Sequence, residues 1–180
     1  MRQNRIIIRV VIVVMFLISL YMTEAGFWGS QVVATYNGGF GTVDMKSYDA
    51  EVVRSALAPM GAEGLHVYRL YYLMDFMFVL CFGAFQIMLI NDVFSFQKNR
   101  PVTIAITAVP VIRGLCDVVE NLILLRTLNT FPQINETAIS VSAQFTQVKL
   151  LCIRIWVILI LVGVILRIVK RLRKHTHSQA

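Results

Sequence analysis

The chain has 180 residues, of which 57% are hydrophobic and only 15% charged, and its mean hydropathy is +0.70. Soluble domains average about 45–50% apolar and about 25% charged residues, so this composition belongs to a bilayer rather than to water. The net charge of +7 does not point to nucleic acid. Its basic residues gather at the ends of apolar segments and interleave with no aromatic reading surface.

Residues 6–21 form the first of four stretches long enough to cross about 30 Å of hydrocarbon at about 1.5 Å per residue; the others are 68–90, 102–125 and 148–169. The first follows Arg2 and Arg5, holds Arg9 near its start, and is followed by Thr23-Glu24-Ala25. That is close to a signal peptide, but the small-x-Ala site is imperfect and the polar segment beyond it returns to the membrane. Retention as a first helix is the expectation.

The outer loop 23–67 comes next. Gly26, Phe27, Trp28, Tyr36 and Phe40 make its first part aromatic and glycine-rich. Val32, Val33, Thr35 and Tyr36 favour extended structure and Asn37-Gly38 marks a turn, the pattern of a hairpin lying on the bundle. Phe27 and Trp28 are also suited to an interfacial anchor. Ser47 can cap a short helix to about Ala58, with Asp49 and Glu51 in its first turn and Val52, Val53, Ala56 and Leu57 as an apolar stripe. Pro59 and Gly61 end it, and its expected role is a lid over the outer end of the bundle. In the second outer loop, 127–147, Asn135-Glu136-Thr137 is a glycosylation sequon, a match short enough to arise by chance.

Lys and Arg placement sets the orientation. Arg2, Arg5 and Arg9, then Lys98 and Arg100, then Arg167, Lys170, Arg171, Arg173 and Lys174 fall on one side of four spans. The loop 23–67 is acidic instead, with Glu24, Asp44, Asp49, Glu51 and Glu63 against Lys46 and Arg54. Both termini are therefore expected in the cytoplasm of a multi-pass cell-membrane protein. The basic tail is explained by this rule, and attraction to anionic lipid accompanies it.

The third span carries Arg113, Asp117, Glu120 and Asn121 within apolar sequence. Each charge costs about 2.5–3.5 kcal/mol at a helix centre on insertion scales. Spacings of three and four put all of them on one helical face. Pro110, one turn before Gly114, removes a backbone donor and can kink the helix. Counted along the helices, Asp117 lies about 22 Å above Val102, Asp75 about 10 Å below Tyr68, and Arg154 about 8 Å below Lys149. The candidate constellation is thus Asp75, Asp117 and Glu120 facing Arg113, Lys149 and Arg154, with Asn121 beside them, in the outer half of the membrane.

Three readings of it stay open. The charges can pair and fix helix register without a ligand. They can line an outward-open pocket for an ion, a proton or a small polar or lipid-headgroup ligand, with Asp75 and Asp117 as the titrating or coordinating groups. Asp117 and Glu120 can also act as an acid–base pair. No nucleophile with its base, metal-ligand set or glycine-rich phosphate loop accompanies them, so catalysis is the weakest reading and neither metal nor cofactor is expected. Cys81, Cys116 and Cys152 all fall in apolar segments and read as buried hydrophobes.

Gly61 and Gly64, Tyr68, Asp75, Pro110, the Asp117-x-x-Glu120-Asn121 element and Thr146-x-x-Lys149 together follow a pattern. Over about residues 48–170 the chain resembles an uncharacterised, mostly bacterial family of four-span integral membrane proteins with an intramembrane D-x-x-E-N motif. It departs from that pattern in Arg113 and in a longer, more aromatic segment 26–46. The resemblance implies a four-helix membrane bundle and no particular activity.

The expectation is therefore an all-α, four-helix transmembrane bundle forming one domain over 1–180, with a short extracytoplasmic capping helix and a long first outer loop. Its partners are the lipid bilayer and either another membrane protein or a second copy. Its expected role is a non-enzymatic structural or accessory one, with a binding or transport unit as the alternative.

Overall fold

The structure, a computed structural model, describes residues 2–44 and 47–177. Lys46 lies outside the described residues, as do the side chains of Arg2, Arg171, Arg173 and Lys174. The chain runs α1 (Arg2–Ala25), α2 (Ser30–Tyr36), α3 (Ala50–Leu57), a 3-10 turn (Ala58–Met60), α4 (Gly61–Val93), α5 (Arg100–Thr130) and α6 (Glu136–His177). The fold is all-α, with no strand among the described residues. Four of its helical segments are long and apolar enough to cross a membrane, the make-up of a multi-pass membrane protein.

Short connections of residues 94–99 and 131–135 make α4, α5 and α6 successive antiparallel neighbours. α5 lies against both α4 and α6, whereas α1 packs chiefly on α4. An aromatic seam holds α1 there. The Phe16 ring stacks on Phe85 at 4.4 Å and on Phe82 at 5.3 Å between centroids. Ile6, Val11, Leu80, Ile104 and Leu161 point outward, as a lipid-facing surface requires.

The helices outrun their apolar stretches. α4 has 33 residues and α6 has 42, lengths of roughly 50 and 63 Å against about 30 Å of hydrocarbon. At the end that carries α2 and α3, Val33, Val43, Val53, Leu57 and Met60 pack on Tyr68, Tyr72, Leu124, Leu128 and Ile139. That cluster is the interior of a small cap.

Three expectations change in this region. Residues 30–36 form a helix, not the strand of a hairpin. Strand propensity is context-dependent, and here the fully buried Val33 is packed in the cap core. The turn at Asn37-Gly38 is real, but it ends a helix. Asn37 closes the loop with its side chain, donating to the Gly41 carbonyl at 2.7 Å and accepting from the Gly41 N–H at 3.0 Å. The cap of α3 is Asp49 rather than Ser47, its carboxylate accepting from the Val52 N–H at 2.8 Å. Most of the expected loop 127–147 is helical, because α6 begins at Glu136 with Asn135 Oδ1 accepting from the Ala138 N–H. Hydropathy marks only the apolar part of a helix.

Two glycines are dictated by geometry. Gly61 has φ of +60°, a region that L side chains rarely adopt. At Gly163 a methyl group would overlap Val93 Cγ1 and lie 2.8 Å from the Phe94 ring, so α6 passes the end of α4 at close range. Gly163→Ala should therefore destabilise the bundle by about 1–3 kcal/mol, the usual cost of overpacking. A lowered thermal midpoint in detergent is the expected reading, and an unchanged one would place that contact elsewhere.

Candidate functional site: a closed charge network beneath the cap

The inner faces of α5 and α6 are polar just below the cap core. From α6, Ser142, Thr146 and Lys149 project at spacings of four and three, on one face. From α5, Arg113, Asp117, Glu120 and Asn121 face them and α4, all buried. Pro110 is also buried, one turn before Gly114 in the same helix.

Lys149 stands at the centre. Its ammonium lies 3.0 Å from Asp117 Oδ1 and 2.7 Å from Glu120 Oε2. The second Asp117 oxygen is 3.1 Å from Arg113 Nη1, one turn away on α5. Arg113 also donates from Nη2 to the Val79 carbonyl of α4 at 3.3 Å, and its guanidinium lies 4.6 Å from the Phe82 ring centroid. One connected set of ion pairs thereby joins three helices. The side chains in these ion pairs are no more than 5% exposed.

The cap closes this network from above. Thr146 donates to Glu120 Oε1 at 2.5 Å, and the Tyr48 hydroxyl reaches the same oxygen at 3.3 Å. Tyr48 also sits 2.8 Å from the Ser142 hydroxyl and 3.1 Å from the Thr146 hydroxyl. Burial pushes the Tyr48 phenol well above its ordinary pKa, and the nearby Glu120 charge adds to this. Tyr48 therefore stays a neutral donor, and the loop before α3 is fastened to the network through it.

Asp75 and Asn121 form a neighbouring unit, with the Asn121 amide donating to Asp75 Oδ2 at 2.6 Å. Above it, Asp44 accepts from the Tyr71 hydroxyl at 3.3 Å, and Tyr68 takes the Val43 N–H at 3.0 Å and the Tyr72 hydroxyl at 3.2 Å. The Tyr68 and Tyr72 rings stack at 5.0 Å. Among the described residues, these two carboxylates are held by neutral donors.

Six of the seven residues expected from sequence come together: Asp75, Arg113, Asp117, Glu120, Asn121 and Lys149. Arg154 does not. It is exposed on α6, and five residues beyond Lys149 carry it about 140° around the helix. Depth along the axis matched, but direction did not. The expected balance of acids and bases changes with it, because Arg154 leaves and Asp44 joins the buried groups. Asp44, Asp75, Asp117 and Glu120 are then buried with Arg113 and Lys149.

Ser142 was readable as the next turn of the Thr146–Lys149 face. Tyr48 and Asp44 carried no periodic signal. Their positions depend on how an irregular loop folds back. Among the described residues, no three His, Cys, Asp or Glu side chains are placed to hold a metal ion.

No family model, curated protein or solved structure matches this chain.

Lys149→Met should cost about 3–5 kcal/mol, because it leaves Asp117 and Glu120 buried without their shared cation. Tyr48→Phe removes one hydroxyl from a satisfied set and should cost only about 1 kcal/mol. Thermal unfolding in one detergent checks both. Equal losses, or none for Lys149→Met, would contradict the central position given to the ammonium.

Proposed function

We propose that this protein is a non-enzymatic structural or accessory component of a cell membrane, and that its buried charges staple the bundle. The observation that supports this best is the doubly paired Lys149 ammonium inside a closed compartment. Ion pairs that are mutually satisfied and sealed from water suit helix registration. A site that must admit a ligand needs an opening. Three cavities, of about 610, 420 and 470 Å³, are lined by residues outside the network. The likeness to the D-x-x-E-N membrane family belongs to the same proposal and adds no activity to it.

In this reading the cap faces away from the cytoplasm and both termini face into it. The charge distribution supports that orientation. Arg5, Arg9, Lys98, Arg100, Arg167 and Lys170 stand at the end opposite the cap, and Glu24, Asp49, Glu51, Glu63 and Glu136 at the capped end. About 30 Å counted up from Arg100 and Arg167 reaches Glu120 and Gln147, so the network sits at the outer edge of the hydrocarbon with the cap above it.

An accessory role is favoured by Arg154. It lies about 20 Å above Arg167 on α6 and is exposed among the outward-facing Leu151, Ile155 and Ile158. A charge in such a place is compensated by a partner or by snorkelling to a headgroup. An acidic group on another membrane protein fits it better than a second copy, which would bring Arg154 against its own like charge.

A second reading, an outward-facing binding or transport unit for an ion, a proton or a small polar or lipid-headgroup ligand, draws on the buried acids outnumbering the buried bases. Asp117→Asn separates the two. As a staple, Asp117 is the shared partner of Arg113 and Lys149, and its neutralisation lowers detergent stability by about 3 kcal/mol or more. As a ligand-facing carboxyl, it can be replaced with stability unchanged while binding or flux alters. The second outcome would overturn the structural reading.

A further inference from the structure

We propose that the groove between α1 and α4, at the end of the bundle opposite the cap, binds one anionic phospholipid. The groove encloses about 420 Å³ and is walled by Ile8 and Ile12 of α1 and by Ala84, Ile87 and Met88 of α4. Its mouth is polar, formed by Arg5, Arg9, Asn91 and Asp92.

The two arginines of the mouth are not equivalent. Arg9 is committed to Asp92, to which its guanidinium is paired. Arg167 comes in from α6 and donates to the Asp92 carbonyl at 2.7 Å, so Asp92 collects two guanidinium groups. Arg5 lies one turn below Arg9 on the same helix and is exposed. It has no ion-pair partner among the described residues. The mouth therefore holds more positive charge than Asp92 neutralises, and the surplus is concentrated at Arg5.

The occupant follows from the two halves of the groove. The walls are aliphatic over about 6 Å of helix on each side, from Ile8 to Ile12 and from Ala84 to Met88, and in a membrane such walls face acyl chains. Arg5 supplies a planar, permanently charged donor set that suits a phosphate oxygen pair, and Asn91 lines the same groove. A free phosphate would gain nothing from Ile12, Ala84 or Ile87. A zwitterionic lipid would bring a second positive charge to a mouth that already has an excess. A phosphodiester lipid with net negative charge satisfies both ends.

The test is native mass spectrometry of the intact protein released from nanodiscs made of equal phosphatidylglycerol and phosphatidylcholine. The wild type should retain phosphatidylglycerol preferentially. Arg5→Gln should lower that preference about fivefold, the effect of one interfacial basic residue. Ile12→Trp should block retention by filling the groove while leaving every charge in place. Lys98→Gln, at the same end but outside the groove, should leave retention unchanged. Arg5 is exposed and Ile12 lines an open groove, so both variants are expected to fold, and unaltered helical circular dichroism checks this. Equal retention of the two lipids by the wild type would overturn the proposal. So would an equal loss in Lys98→Gln and Arg5→Gln, or displacement of the bound lipid by glycerol phosphate without acyl chains.

Discussion

On the proposed structural reading, one ammonium group shared by two carboxylates is the interaction on which the bundle depends. Lys149 comes from α6, while Asp117 and Glu120 come from successive turns of α5. Bringing any one of them alone into a water-poor interior would cost several kcal/mol, and only simultaneous pairing makes the arrangement tolerable. This requirement fixes the rotation and the axial shift of α6 on α5. Arg113 extends the constraint to α4 through Asp117 and the Val79 carbonyl. Aliphatic side chains alone would allow several neighbouring registers in lipid, where no hydrophobic force separates one apolar face from another. The charges remove that freedom.

The cap follows from the same constraint. Charge pairs close to water would be hydrated and weakened unless something covered them. Tyr48 does so with a hydroxyl that is satisfied by Glu120, Ser142 and Thr146, and the stacked Tyr68 and Tyr72 rings add bulk beside it. Gly64 serves this closure. A methyl group on it would lie 2.8 Å from Tyr36 Cβ, so the end of α2 rests directly on α4. The opposite end of the bundle obeys different physics, since Arg9 and Asp92 there remain partly exposed.

Much of this was legible in the sequence. The four long helices and the polar face of α5 follow from apolar run length and from spacings of three and four. Helical periodicity could likewise have excluded Arg154, because five residues from Lys149 is the wrong direction on a helix. Other features were beyond reach for physical reasons. Val32, Val33, Thr35 and Tyr36 have the composition of a strand, yet they form a helix whose Val33 packs in the cap core, a tertiary setting that local composition does not reveal. Tyr48 and Asp44 lie in an irregular segment where no period relates residue number to direction. The outer ends of α5 and α6 extend past their apolar stretches because hydropathy fades before the backbone hydrogen bonding does.

The coupling between Lys149 and Asp117 can be read from a double-mutant cycle on these two side chains. Unfolding free energies of the wild type, Lys149→Met, Asp117→Leu and the double variant, in one detergent, give the interaction energy. A buried, directly paired couple should yield at least about 1.5 kcal/mol, with the double variant more stable than the sum of the single losses predicts. Strict additivity would contradict the account, because it would mean that the two charges do not sense each other and that something else sets the packing of α5 on α6.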